Sequence, residues 1–305
     1  MKSLQITGYD GEAHIALNDV SEPTPGPEDV LVRVTAAAVN PLDMKLARGY
    51  LKGFFPLKFP YNLGTDLAGV IDDVGARVTS FRKGDAVLAR LETLNGGAFA
   101  ERAVIPARLV VRAPKEARDD EAAAFGTVVA TAWQALFEVA RISASTTLVV
   151  TGGAGSVGGV AVKLARSVGA RVFAIVLGKD LEAAKELGAE RVFESGAKLD
   201  LADIDVVFDT VGGDGQRELF GILRAGGMLA SIASPPDEAA GSARSITSRF
   251  VFHESDGSRL ALATNYCMAC GIKPAIDRVI PLHSGHDAVA LVASGKARGK
   301  VILRP

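Results

Sequence analysis

The chain is poor in the residues that build disulfide scaffolds and metal centres. It holds two cysteines and four histidines in 305 residues. Cys267 and Cys270 make no disulfide framework, and alone they make no structural zinc site, which needs four ligands. Cys-Met-Ala-Cys can be read as a redox pair. It lies, however, inside the apolar, helix-like run 260–271 with no strand and turn before it, so packing is the expected role. His14, His253, His283 and His286 are dispersed and read as structural or solvated. A surplus of charge is missing too. The 34 Lys and Arg against 35 Asp and Glu leave a net charge of −1, which removes the electrostatic basis for non-specific nucleic-acid binding. No hydrophobic run is read as approaching the roughly 20 residues that cross a bilayer. The opening MKSLQITGYDGEAHIAL carries acids early and lacks the apolar core and cleavage site of a secretory signal. These absences predict a cytoplasmic protein whose partners are neither nucleic acid nor membrane.

What is present is the balance of an ordinary packed protein, 48% apolar and 23% charged, long enough for two domains. Residues 1–117 read as short strands between turn formers. Residues 12–18 alternate, 21–30 (SEPTPGPEDV) is a proline-rich turn, and 30–39 and 68–74 are strongly β-prone. FRKGDAVLA (81–89) is a charged turn followed by a strand. Such spacing predicts a compact, barrel-like β unit. From Asp119 the texture changes. Residues 119–140 have early acids and helical periodicity. Strands are then expected at 147–150, 171–176, 205–209, 228–232 and 249–253, and helices at 156–168, 181–187 and 216–223. This rhythm predicts an α/β, doubly wound parallel sheet, because parallel strands need crossover helices. After Gly271, strands at 275–282 and 300–303 and a helix at 287–292 suggest a tail that rejoins the first domain. The expected division is 1–117 with 271–305 around an inserted domain, 118–270.

The sequence TTLVVTGGAGSVG places Gly153-x-Gly155-x-x-Gly158 directly after a strand and at the start of a helix. A bare pattern of this kind is weak; with both contexts it is a dinucleotide-binding fingerprint. Glycines let the backbone turn tightly and approach a pyrophosphate, which meets free amides at the helix start, here those of Ser156, Val157 and Gly158. The alternative is a tight turn with no ligand. An acid at the tip of the second strand selects NAD, and a base accepts the 2′-phosphate of NADP. FAIVLGKD (173–180) shows no acid at the tip and Lys179 just beyond it, which leans towards NADP(H) over NAD(H). A solvated lysine is the other reading of Lys179. Val211 and Ser231, beyond the next strands, are candidate cofactor neighbours or packing residues.

Six segments carry a family resemblance: Asn40-Pro-Leu-Asp43, Gly64-Thr-Asp66-Leu-Ala-Gly69, Gly96-Gly97-Ala-Phe-Ala-Glu101, Thr131-Ala-Trp133, the glycine turn, and Gly299-Lys-Val-Ile-Leu303. In this order the chain resembles the medium-chain dehydrogenase/reductases, and more narrowly their zinc-independent, quinone oxidoreductase-like branch. The resemblance implies a Rossmann sheet inserted in a GroES-like β-rich catalytic domain, a homodimer, and reduction of quinones or α,β-unsaturated carbonyls with NADPH. It places the catalytic zinc ligands of the zinc-dependent branch at Asn40, Thr65 and Thr127, none a thiolate, imidazole or carboxylate. The four-cysteine lobe is missing from 88–101. No metal is therefore expected.

Conjugated acceptors do not require a Lewis acid, so the protein has mainly to hold donor and acceptor in attack geometry. Asn40 is the first candidate for orientation, through its amide to the nicotinamide ribose or a substrate carbonyl. Thr131 is expected beside the nicotinamide and Thr127 in the same cleft. Asp43 orders the loop or simply stabilises a turn. Tyr50 and Tyr61 are candidate proton donors, with solvent as the alternative. Two departures stand out. The positions at which quinone reductases bind the 2′-phosphate correspond to Val176, Asp180 and Ser195, which do not reproduce that pocket. The loop 231–249 is polar and small, either a mobile cover or an ordinary surface loop. The rivals to a quinone or enone reductase are an enoyl-thioester reductase and a dinucleotide-binding structural or regulatory protein without turnover.

Overall fold

A computed structural model describes residues 1–9 and 14–305. Residues 12 and 13 of the alternating segment lie outside them; its remainder leads into the strand Ala16–Asp19. The chain divides into two compact units. The first comprises Met1–Thr127, Glu254–Asn265 and Lys273–Pro305, and the second Val128–His253 and Tyr266–Ile272. The main boundary thus falls between Thr127 and Val128, inside a helix, rather than at 117/118.

In the first unit a seven-stranded sheet runs in the order Ile276–Pro281, Lys300–Arg304, Asp29–Val39, Asp66–Val74, Ala86–Arg90, Val110–Arg112, with Arg102–Pro106 also paired to Asp29–Val39. The long strand DVLVRVTAAAV buries Val30, Val32, Val34 and Ala37, and β-branched residues suit such a half-buried pleat. Lys300–Arg304 pairs antiparallel with Asp29–Val39 at Val301↔Val39 and parallel with Ile276–Pro281. A short helix, Pro41–Ala47, was not legible in the sequence. Pro41 pre-sets its first turn, and the Asp43 carboxylate accepts the Asn40 amide at 2.7 Å.

The second unit is built on a six-stranded parallel sheet in the order Arg191–Glu194, Arg171–Val176, Thr147–Thr151, Ile204–Asp209, Leu223–Ser231, Thr247–Phe250. The strands TLVVT and RVFAIV are continuous apolar runs because helices and loops cover both faces of a parallel sheet. Several expectations need correction. The helix expected at 216–223 is a 3-10 helix, Asp214–Gly221, and the following strand begins at Leu223. The edge strand is Thr247–Phe250, not 249–253, and Arg191–Glu194 was missed. The loop after Ser231 contains a short helix, Glu238–Ser242, capped by the Asp237 side chain on the Ala240 amide.

The helix Asp119–Trp133 continues as a π-helical turn, Gln134–Val139. Contrary to the sequence reading, this segment is long and apolar enough to cross a membrane, with a mean hydropathy of 1.3 in its most apolar stretch. That stretch is 67% buried within the protein, as in a core helix. Cys267 is buried, its thiol pushed up to about 12 by desolvation, which leaves it inert, and Cys270 is exposed.

Candidate functional site

The glycine turn has the geometry its sequence promises. Gly152 has φ +62°, and a Cβ there would fall 2.6 Å from Thr210 Oγ1 and 3.1 Å from Val211 Cγ2. At Gly153 a Cβ would press on Ala174 at 2.7 Å, and at Gly158 on the Gly152 carbonyl at 2.2 Å. The chain passes here only because these side chains are missing. Gly155 is the N-cap of the twelve-residue helix Ser156–Ser167 and has no side chain to cap it. The first-turn amides of Ser156, Val157 and Gly158 are left for another acceptor, and the helix dipole favours an anionic one. A dinucleotide pyrophosphate fits this cradle.

The rim around the turn is held by one acid. Asp209 is buried and accepts from Thr151 Oγ1 at 2.6 Å, Gln216 Nε2 at 2.8 Å, Ser231 Oγ at 3.0 Å, and the amides of Gly212 and Val211 at 3.0 and 3.1 Å. Burial alone would push its pKa up, but these hydrogen bonds outweigh burial and hold the carboxyl below its usual range. Ser231 is therefore a rim support, fully buried and committed to Asp209, rather than an open cofactor contact. Val211 is the opposite, 64% exposed beside Gly152. Thr131 is buried with an unpartnered hydroxyl. At the tip of Arg171–Val176, Lys179 is exposed, yet Glu194 stands there too: a Cβ on Gly178 would meet its Oε1 at 2.4 Å. The tip thus has an acid after all, supplied by the neighbouring strand in register with Val176.

The first unit carries a second polar site, buried and charged. Asp66 accepts from the Thr127 amide at 2.9 Å, Thr127 Oγ1 at 2.8 Å and Asn40 Nδ2 at 2.9 Å. A Cβ on Gly126 would collide with the same carboxylate at 2.5 Å, so a glycine is what lets the helix approach. Lys300 is 2% exposed; its Nζ donates to Asn40 Oδ1 at 2.5 Å and the Val39 carbonyl at 2.9 Å, and lies 3.9 Å from Asp66 Oδ2. Burial pulls the Lys300 pKa down, against the attraction of Asp66 and Asp43. Arg90, opposite Asp66 in the sheet register, donates to Ser255. Asp43 is fully buried and pushed up to about 7, chiefly by desolvation. Asp43 Oδ1, Thr65 Oγ1 and Arg90 Nε have no hydrogen-bond partner among the described residues.

This geometry sorts the sequence candidates. Asn40, Asp43 and Thr127 lie in the charged site. Both Asn40 side-chain N–H groups are spent, on Asp66 and on the Ala38 carbonyl at 3.2 Å. Asn40 thus has no N–H left to donate to a substrate carbonyl. Tyr61 is removed as a proton donor: its hydroxyl donates to the Thr93 carbonyl at 2.7 Å, and burial raises its pKa. Tyr50 stands apart, 68% exposed just beyond the Pro41–Ala47 helix. Sequence reasoning missed Lys300 and Arg90 as site residues. The only signal was Lys300 within Gly299-Lys-Val-Ile-Leu303, where it read as a family mark. The locus at Asn40, Thr65 and Thr127 does not fit zinc, since it offers a committed amide and two hydroxyls. No group of three or more His, Cys, Asp or Glu suited to a metal occurs among the described residues.

A parallel dinucleotide-binding sheet inserted into a β-rich unit defines a medium-chain dehydrogenase/reductase, and comparison with known proteins agrees. Residues 26–115 match the alcohol dehydrogenase GroES-like domain and 187–303 the zinc-binding dehydrogenase family. The chain belongs to the medium-chain dehydrogenase/reductases, in their quinone oxidoreductase-like branch. It is 32% identical to the chloroplast envelope quinone oxidoreductase homolog of Arabidopsis thaliana, across 100% of this chain and 98% of that one. It is 29% identical to the NADPH-dependent alkenal/one oxidoreductase, chloroplastic, of the same plant, across 100% and 80%. The fold matches Escherichia coli quinone oxidoreductase, solved with NADPH, at a TM-score of 0.89 over the whole of both chains with 21% identity. An NAD(P)H-linked oxidoreductase acting on small molecules follows from this membership.

Proposed function

We propose that the chain is a zinc-independent, NADP(H)-linked reductase of quinones or α,β-unsaturated carbonyl compounds. The observation that carries this is the pairing of a bare glycine turn in one unit with a buried amide, carboxylate and ammonium, unsuited to zinc, in the other. A nicotinamide dinucleotide held at the turn by its diphosphate would supply a hydride. The amides of Ser156, Val157 and Gly158 would hold the diphosphate, with Val211 beside the turn, and Thr131 would contribute its buried hydroxyl to the nicotinamide end. In the first unit, Asn40, Thr127 and Asp43 belong to the charged site, which we assign to the acceptor. Addition of that hydride to a conjugated acceptor would place charge on its oxygen, which the protein or solvent would have to protonate. Tyr50 is the tyrosine left open to deliver that proton, with solvent as its alternative.

Lys179 and the NADPH named for the alkenal/one oxidoreductase support NADP(H), while Glu194 opposes it. Oxidation of NADPH and NADH by this protein, measured over quinones, enones and an enoyl thioester, tests the reading. Turnover with quinones or enones is expected. Exclusive use of the thioester would make it an enoyl-thioester reductase, and tight NADPH binding with no turnover would make it a binding protein. Thr247–Phe250 is the open edge of its sheet, with Phe250 43% exposed, and is proposed as the seam of a homodimer. Sedimentation at only 31.7 kDa would reject the dimer.

A further inference from the structure

Asn40 is the side chain around which the charged site is organised, and its amide can sit in either of two orientations. The partners leave it one. A lysine ammonium has donors only, so the atom facing Lys300 Nζ at 2.5 Å is the amide oxygen. An ionised carboxylate has acceptors only, so the atom facing Asp66 Oδ2 at 2.9 Å is the amide nitrogen. The Ala38 carbonyl takes the second N–H. Asp66 is itself pinned by the Thr127 amide and hydroxyl, and Lys300 by the Val39 carbonyl. We infer that Lys300 and Asp66 are positioning residues that lock the Asn40 amide in this one orientation, on which its role in the reductase depends.

Stability does not account for the lysine. An apolar residue of similar volume at position 300 would avoid the cost of burying an ammonium, and buried ion pairs commonly gain nothing over such replacements. What an apolar residue loses is the donor that tells the two ends of the Asn40 amide apart. The inference rests on the reductase reading above for its kinetic consequence, but not for its geometric one.

Two measurements test it. In protein labelled with 15N in asparagine side chains, the Asn40 amide protons, identified by their loss in Asn40→Ala, are expected to exchange slowly with solvent. In Lys300→Met they should exchange at least ~10-fold faster, because the lock is gone. Unchanged exchange would overturn the inference whether or not any acceptor is reduced. In steady-state assays Lys300→Met should lower kcat roughly 10- to 100-fold, as misplacement of an orienting group does. In the Asn40→Ala background the same change should cost less than about 3-fold, because Lys300 acts through Asn40. Losses that multiply instead would make Lys300 a merely structural residue and reject the proposal. If Lys300→Met does not fold, the charge-neutral pair Lys300→Met with Asp66→Asn takes its place in both measurements with the same expected results.

Discussion

Two buried acids organise this molecule, and they do so in opposite ways. Asp209 in the second unit is surrounded by neutral donors, three side chains and two backbone amides, and the net result holds its pKa down. It is a finished piece of architecture that fixes the ends of three strands beneath the glycine turn. Asp66 in the first unit shares its surroundings with Lys300, Arg90 and Asp43, and that neighbourhood keeps three buried polar atoms unpaired. Complete satisfaction marks a scaffold. Partial satisfaction at high local charge marks a place where perturbed groups and spare hydrogen-bonding capacity are kept for chemistry.

The contrast can be broken or sharpened by experiment. Gly158→Val should weaken NADPH binding in calorimetry by more than ~100-fold, since its side chain would enter the Gly152 carbonyl. Asp66→Ala strands the buried Lys300 ammonium and should lower unfolding free energy by about 3–5 kcal/mol in denaturant titrations. Asp209→Ala strands neutral donors and should cost less, about 2–3 kcal/mol, with Asp209→Asn recovering part of it. Equal losses at the two acids would erase the distinction drawn here. Asp43 provides a pH test. Folding raises its pKa from 3.8 to about 7, so the folded chain binds the extra proton between those values. Its contribution to stability should fall as pH rises from about 4 to about 7 and level off above, and Asp43→Asn should flatten that slope. The smallest effects belong to the strand tip: Lys179→Ala should weaken NADPH about 3- to 10-fold and leave NADH unchanged, while Glu194→Gln should favour NADPH by a similar factor, read as Kd ratios.

The second unit was far more legible in the sequence than the first. Its strands are buried on both faces and read as apolar runs, and the glycine turn is contiguous, so fold and cofactor cradle lie in one short stretch. What escaped was assembled across strands. Glu194 reaches the tip of a strand that ends 18 residues earlier, at Val176, through parallel register alone. The charged site draws Asn40, Asp66, Arg90, Thr127 and Lys300 from five separate segments, and no local periodicity announces that they meet. Tyr61 failed as a proton donor because sequence gives a side chain's chemistry but not its burial, and Ser231 failed as an open contact for the same reason.

Lys300–Arg304 sits between two strands of the seven-stranded sheet and bonds to both. Its Asn40 partner lies 260 residues upstream. During synthesis the six-stranded sheet has all of its strands once Phe250 has emerged, whereas the sheet carrying the charged site lacks the strand that joins Ile276–Pro281 to Asp29–Val39 until residue 304 has followed. The six-stranded sheet can therefore pair in full on a chain too short to complete the seven-stranded one.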